Sequence, residues 1–361
     1  MALKGKKVLE FAGLAPGPFA GLILADNGAS VIRVDRPSAS TLDVLCRGKR
    51  SVAINSKIPS GRELLKRLIV SSDILIDPFR PGVMERLGLG PDVFLGKSGL
   101  NEKLVYARIV GCFQAPRINP SFPLNLLADF AGGGMHCVTA ILLALLARNE
   151  TRRGQVVDID MVSGTRYLST SPLLHHFHPE TGRFSGARGT NLLDGGAPFY
   201  NIYACKGGGL MTLACIEPRF FKIFLEKFCP SLPENFVLSK EWHGITTPKA
   251  QEDRALWPKL KQFLENGFSM RSKDEWASIF LGTDACCVPV LTPKEATDLS
   301  SLSVHPPHPT GTRWSAFDHE PCLLNPGQHT KEILIEELRL AGKDYEELLN
   351  EGVIGEHEHL K

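Results

Sequence analysis

One stretch near the N-terminus restricts the fold more than any other. Lys6 to Ala12 reads as a strand, Gly13 to Pro18 (Gly-Leu-Ala-Pro-Gly-Pro) as a turn, Phe19 to Asn27 as a helix ended by Gly28, and Ser30 to Asp35 as a largely apolar strand. Strand, turn, helix and strand at this spacing form a βαβ unit, which makes a parallel sheet the default. It is not the dinucleotide fingerprint, because no G-x-G-x-x-G opens the helix and prolines stiffen the turn instead.

The pattern then repeats. Ser51 to Asn55 is a short strand, Gly61 to Ser71 a helix and Asp73 to Asp77 a strand. Gly82 to Gly90 and Pro91 to Lys97 supply helical turns, and Leu104 to Val110 and Gly154 to Met161 are further strands. The fold class is α/β, with a Rossmann-like doubly wound parallel sheet in a large domain over residues 1–175. The segment Ser171 to Ala187 reads as loop-like. From Asn191 the texture changes to short strands at Tyr200 to Ala204, Gly209 to Ala214 and Ala285 to Leu291. Helices are expected from Glu217 and Pro218 through Lys227, over Trp257 to Asn266 and over Lys273 to Phe280. This predicts a smaller α+β domain over 186–312. A C-terminal segment, 313–361, returns to the large domain, with His329 to Asn350 as one charged helix. Ser303 to Pro309 is a proline-histidine linker.

Composition narrows the function. With 361 residues, 43% of them hydrophobic, the chain can bury a sizeable core. Lys plus Arg number 41 against 39 Asp plus Glu, a balance that argues against a dedicated nucleic-acid or membrane-surface protein. The longest apolar run, Val138 to Ala147, is too short for a membrane span, and Pro16 and Pro18 break any signal-peptide pattern. The nine cysteines are scattered and odd in number, with Cys286 and Cys287 adjacent and no C-x-x-C, so free thiols are expected. His175, His176 and His178 resemble a metal cluster, but no cysteine or carboxylate completes a first shell nearby, and no metal is expected.

The stretch Asn125 to Met135 concentrates the unusual chemistry. An apolar run is interrupted by one carboxylate, Asp129, and followed by Gly132, Gly133 and Gly134, after which Val138 to Leu146 continues as a helix. Glycines at a helix start cost up to about 1 kcal/mol each relative to alanine in a helix interior, so close approach by a backbone or a ligand is the expected reason for them. The alternative is a packing notch where two helices cross.

Several of these stretches resemble the class III CoA-transferase superfamily, and within it the alpha-methylacyl-CoA racemases. They are Gly-Leu-Ala-Pro-Gly-Pro-Phe at 13–19, Val-Ile-Arg-Val-Asp-Arg-Pro at 31–37, Arg-Gly-Lys-Arg-Ser at 47–51 and Phe-Arg-Pro-Gly-Val-Met-Glu at 79–85. Leu-Asn-Leu-Leu-Ala-Asp-Phe-Ala-Gly-Gly-Gly at 124–134, Leu-Asp-Gly-Gly-Ala-Pro-Phe-Tyr at 193–200, Ile-Glu-Pro at 216–218 and Gly-Thr-Asp-Ala-Cys at 282–286 complete the set, in order along nearly the whole chain. The resemblance implies the class III CoA-transferase fold and an interlaced homodimer. It also implies interconversion of 2R and 2S 2-methyl-branched fatty acyl-CoA thioesters in lipid metabolism, bile acid synthesis included. Position by position, Asp129 matches the catalytic aspartate and Glu217 the glutamate that supports a catalytic histidine. Arg36, Ile54, Asn55, Ser56, Lys57 and Arg80 fall on CoA-contacting stretches, CoA being part of the substrate, so that no separate cofactor is implied. The compartment implied is the peroxisome, the mitochondrion or both, although the chain ends His-Leu-Lys rather than in a small-basic-leucine tripeptide.

The chemistry suits these residue types. An α-proton of a thioester is weakly acidic, so its removal needs a base within about 3 Å and stabilisation of the enolate. Inversion needs one group on each face of the carbon. Here the chain departs from the family. Between Gly111 and the Asp129 helix it runs Cys-Phe-Gln-Ala-Pro-Arg-Ile-Asn-Pro-Ser-Phe-Pro-Leu, without the Gly-His-Asp segment that carries the second base. His136 does not replace it: seven residues along a helix is roughly 10 Å of rise on the same face, which predicts a helix-packing role. Three outcomes remain open, namely a crippled racemase, a CoA transferase with Asp129 as nucleophile, and an acyl-CoA-binding pseudoenzyme.

Overall fold

The computed structural model describes residues 2–13, 15–39, 43–110, 126–181, 183–300 and 323–357. The chain divides into two compact units, residues 1–169 with 307–361, and residues 170–306.

The first unit is built on a seven-stranded sheet. Its strands are β1 (Lys7–Phe11), β2 (Ser30–Asp35), β3 (Lys49–Ile54), β4 (Ile74–Asp77), β5 (Val105–Val110), β6 (Gln155–Asp160) and an edge strand, Ile354–Gly355. The order is edge strand, β3, β2, β1, β4, β5, β6. Every pairing is parallel except that of the edge strand with β3. Alternate residues serve opposite faces. Val8, Val31, Ile74, Ile76 and Val105 pack with Leu24 of α1 (Pro16–Asp26) and with Cys137 and Ile141 of α5 (His136–Thr151). Leu9, Ile32, Leu75 and Tyr106 pack with Leu64, Leu65 and Leu68 of α2 (Pro59–Val70). A sheet covered on both faces is what near-continuous apolar strands require.

Helix starts fall earlier than the apolar pattern predicts. Helix α1 begins at Pro16 rather than Phe19, and α2 at Pro59 rather than Gly61. Proline fits the first helical turn because the N–H it lacks would have no partner there. Two short helices follow β4, α3 (Val83–Arg86) and α4 (Pro91–Phe94). After β6, Asp160 accepts a hydrogen bond from Ser163 N at 2.7 Å and caps α6 (Met161–Leu168).

Charges are buried in this sheet. Lys49 Nζ donates to Glu10 Oε2 at 2.7 Å and to Pro18 O at 2.8 Å, with both side chains fully buried. Burial raises the Glu10 carboxyl despite the lysine. Gly21 makes the space, since a Cβ there would lie 1.6 Å from Glu10 Oε2. Nearby, Arg33 pairs with Asp35 at 2.9 Å and donates to Leu324 O at 2.8 Å, while Gly327 N donates to Ser51 Oγ at 2.8 Å. These bonds fasten the C-terminal segment over the ends of β2 and β3. That segment is two helices, Thr330–Leu338 and Gly342–Asn350, not the single helix expected. Arg339, at φ 53°, leaves the helical region and turns the chain.

The second unit holds an antiparallel sheet, β7 (Tyr200–Ala204), β8 (Leu210–Ala214) and β9 (Cys287–Val290), in that order. Its core is aromatic: Phe221, Phe224 and Phe228 of the helix Pro218–Phe228 meet Phe263, Phe268 and Trp276. The phenyl centroids of Phe224 and Phe228 are 4.8 Å apart. The reading of Ser171 to Ala187 as loop is corrected in its first half, where Thr170–Phe177 is a helix. Pro172 lies in the first turn, where it is tolerated, and Leu173, Leu174 and Phe177 recur at helical spacing. The seven described cysteines are all free thiols. The proline-histidine stretch Ser303 to Pro309 lies outside the described residues.

Candidate functional site

In a sheet ordered 3-2-1-4-5-6, successive strands lead outward on opposite sides of β1 and β4, which opens a crevice at their carboxyl ends. A cleft of about 490 Å³ lies there. Phe11, Ala12 and Gly13 from the end of β1, Asp35 and Arg36 from β2, and Ile54 and Ser56 from β3 form one side. Phe79 and Arg80 after β4, with Val83 and Leu87, form the other. Four of the six expected CoA-contacting positions, Arg36, Ile54, Ser56 and Arg80, therefore line one cleft. The guanidiniums of Arg36 and Arg80 are on exposed residues with no ion pair among the described residues. Two cations on an aromatic-lined cleft suit an anionic ligand with a planar group.

Asn55 and Lys57 do not line the cleft. The Asn55 side chain accepts from Lys57 N at 3.1 Å, and its own N–H donates to Val353 O at 2.8 Å, so Asn55 shapes the turn that presents Ser56. The sequence reading passed over Phe11, Gly13, Val83 and Leu87 as lining residues. For Phe11 and Gly13 the signal was available, since they lie at or just past the end of β1, whereas Val83 and Leu87 are brought in by α3 and its C-terminal end.

Asp129 lies on a helix that begins with wide, π-type turns, Leu126–Met135, and continues as α5. The glycines are thus inside a continuous helix, not at its start. A Cβ on Gly132 would lie 2.6 Å from Thr165 Oγ1, and one on Gly164 would lie 1.9 Å from Gly132 O. Gly133 and Gly134 meet Pro16 and Phe19 of α1, with a Cβ on Gly134 falling 2.8 Å from Phe19 Cδ1. Of the two readings of the triplet, the packing notch is the one found. The space beside the glycines is filled by α6 and α1. Helix α5 runs back toward the start of β6, so Asp129, ahead of α5, lies toward the carboxyl edge of the sheet. It is half-buried. His136 packs edge-on against the Tyr167 ring with centroids 5.3 Å apart, in keeping with a packing role.

By length and composition the helix Leu126–Thr151 could cross a membrane. Cys137, Ile141, Ala144 and Leu145 bury one side of it against the sheet, whereas Met135, Leu143 and Leu146 are more than half exposed on another.

Glu217 belongs to the second unit. Its carbonyl accepts from Phe220 N at 3.0 Å at the start of the helix Pro218–Phe228, and its exposed side chain makes no capping bond. It adds to the negative field at the Cys286 thiol, which burial already pushes up. His175 and His176 lie on the helix Thr170–Phe177, and His178 Nδ1 meets Glu180 at 2.9 Å. Among the described residues no three metal-binding side chains gather.

One carboxylate behind the cleft was not singled out by the sequence. Asp77, at the end of β4, is 4% exposed, and its Oδ1 accepts from Phe79 N at 2.9 Å. Burial pushes its carboxyl up to about 6, against the opposing pull of that N–H and of Arg108.

The model for CoA-transferase family III matches residues 3–117 and 112–305, two pieces that meet at 112–117. The chain is 39% identical to alpha-methylacyl-CoA racemase of Mus musculus, covering 93% of each chain over 374 aligned positions, and equally identical to that of Homo sapiens. It is 26% identical to a formyl-CoA:oxalate CoA-transferase of Afipia carboxidovorans over 98% of each chain. Among solved structures, a CAIB/BAIF family protein from Brucella suis shares the fold with a TM-score of 0.68 at 20% identity, over 92% of this chain and 98% of that one. Rv3272 from Mycobacterium tuberculosis does so with 0.67 at 20%, over 91% and 97%. The chain belongs to CoA-transferase family III.

Proposed function

We propose that this protein binds 2-methyl-branched fatty acyl-CoA thioesters and exchanges the proton at C2 through Asp129 on one face of the carbon. The carrying observation is the cleft at the switch point, where Arg36 and Arg80, without an ion pair among the described residues, stand beside Phe79 in a chain 39% identical to alpha-methylacyl-CoA racemase. The nucleotide end of the substrate lies on those cations, and the acyl end extends toward the Asp129 carboxylate. Asp129 removes the proton, the enolate forms, and the same group returns it, so the configuration is retained.

Loss of the second face is supported by the alignments. The family match comes in two pieces meeting at 112–117, and the mouse racemase aligns over 374 positions, more than the 361 residues of this chain. The segment expected to carry the histidine has no counterpart here, and Glu217 has lost the group it would support. The exposed apolar residues Met135, Leu143 and Leu146 fit burial in an interlaced homodimer. No cofactor beyond the CoA of the substrate enters the reaction. A peroxisomal or mitochondrial setting follows from the same resemblance.

The test is deuterium uptake at C2 of 2-methylacyl-CoA incubated with purified protein in D₂O, read for both epimers. Uptake with retention is expected. Uptake with epimerisation would reveal a second base and overturn the one-face reading. Transfer of CoA to an added carboxylate would identify Asp129 as a nucleophile. Binding without uptake would make the chain an acyl-CoA-binding pseudoenzyme.

A further inference from the structure

The turn Pro78–Arg80, whose Phe79 and Arg80 line the cleft, is held at Pro78 and at Phe79 by different contacts. Gly13 admits Pro78, because a Cβ on Gly13 would lie 2.7 Å from Pro78 Cγ. Phe79 packs its ring on Phe11 with centroids 5.6 Å apart, and its N–H donates to Asp77 Oδ1 at 2.9 Å. Arg80 comes next, exposed and without an ion pair among the described residues. Among the described residues no partner of its own directs it, which leaves the turn before it to do so.

Asp77 is an unusual residue to spend on that turn. Burying a carboxylate is costly, and no cation pairs with this one directly among the described residues. The charged and titratable groups around it are Arg108 and Tyr106 of β5 and Glu85 of α3. Arg108 is paired with Glu85 and lies over the Tyr106 ring at 5.5 Å, so its charge is shared. An apolar side chain would fill the same core position between Phe11 and Tyr106. What it would lack is an acceptor for Phe79 N–H.

We propose that Asp77 is a positioning residue for ligand binding: its carboxylate holds the Pro78–Arg80 turn, and through that turn it aims the Arg80 guanidinium at the anionic end of the ligand. This rests on the reading of the cleft as a CoA site. Asp77 touches no ligand atom itself and acts through Arg80.

The experiment is calorimetric titration of CoA into the full-length chain and its variants at neutral pH, with thermal melting of each. Asp77→Ala is expected to bind CoA about tenfold more weakly, the loss of one hydrogen bond to a charged acceptor. Asp77→Asn keeps an acceptor at the same place and is expected to bind within about twofold of the parent. Adding Asp77→Ala to Arg80→Ala should cost nothing further, because both remove the same contact. Two results would overturn the proposal: an Asn variant as weak as the Ala variant, or additive losses in the double variant. Failure of the parent chain to bind CoA would instead overturn the reading of the cleft, and the positioning role with it. A melting temperature held across the set separates all of these from misfolding.

Discussion

The two ends of the candidate site are built in different ways. The anion-binding end is assembled within one unit, from the ends of four neighbouring strands, and its residues converge because sheet order alone brings β1, β2, β3 and β4 side by side. The acid-base end has no such guarantee. Asp129 rides on a helix whose place is set by glycine contacts. Residues on strand ends are aligned by the ladder itself, whereas a base on a connection depends on that connection alone. Under the function proposed above, this difference is what would let a chain of this family keep its binding cleft while one of two bases is lost.

That contrast can be broken at either end. The largest effect is expected for Asp129→Ala, which should lower C2 exchange by about 10²- to 10⁴-fold, the usual contribution of a positioned acid-base group, with CoA affinity unchanged. Equal exchange by the variant would place the chemistry elsewhere. Arg36→Ala should weaken CoA binding by about tenfold or more, as expected for losing a charge-assisted hydrogen bond, yet leave exchange at saturating substrate intact. A fall in both would mean that the two ends are not separable.

A smaller and more mixed outcome is expected from Gly164→Ala. Its methyl would sit 1.9 Å from Gly132 O, so α6 and the Asp129 helix must move apart, at about 1–3 kcal/mol by denaturant titration. Exchange should fall by more than CoA affinity, because the crossing carries Asp129 and not the cleft. The smallest effect is expected for Glu217→Gln: without a histidine to support, its exchange rate should match the parent within about twofold. A large loss would show that Glu217 itself handles a proton.

Much of the binding end was legible in the residues. The family resemblance singled out Arg36, Ile54, Ser56 and Arg80, and the βαβ pattern puts them at or after strand ends, where an α/β sheet binds ligands. The glycine triplet was legible only as a demand for close approach. Its partner, Gly164, is supplied by a helix that the sequence reading left unassigned. The tail shows the same limit: its charged pattern runs through Arg339 without a visible break, and the left-handed turn there appears only once Leu338 is docked against the sheet.

What the sequence determined by itself was the parallel sheet, the run of strands and turns, and the residue types at their ends, because these follow from local conformational preference and the periodicity of apolar side chains. The tertiary structure decided which strand ends share a cleft, what presses on Gly132, and that Asp77 is buried with a backbone N–H as its partner. Those outcomes depend on burial and on contacts between residues far apart in the chain, and no local pattern carries either.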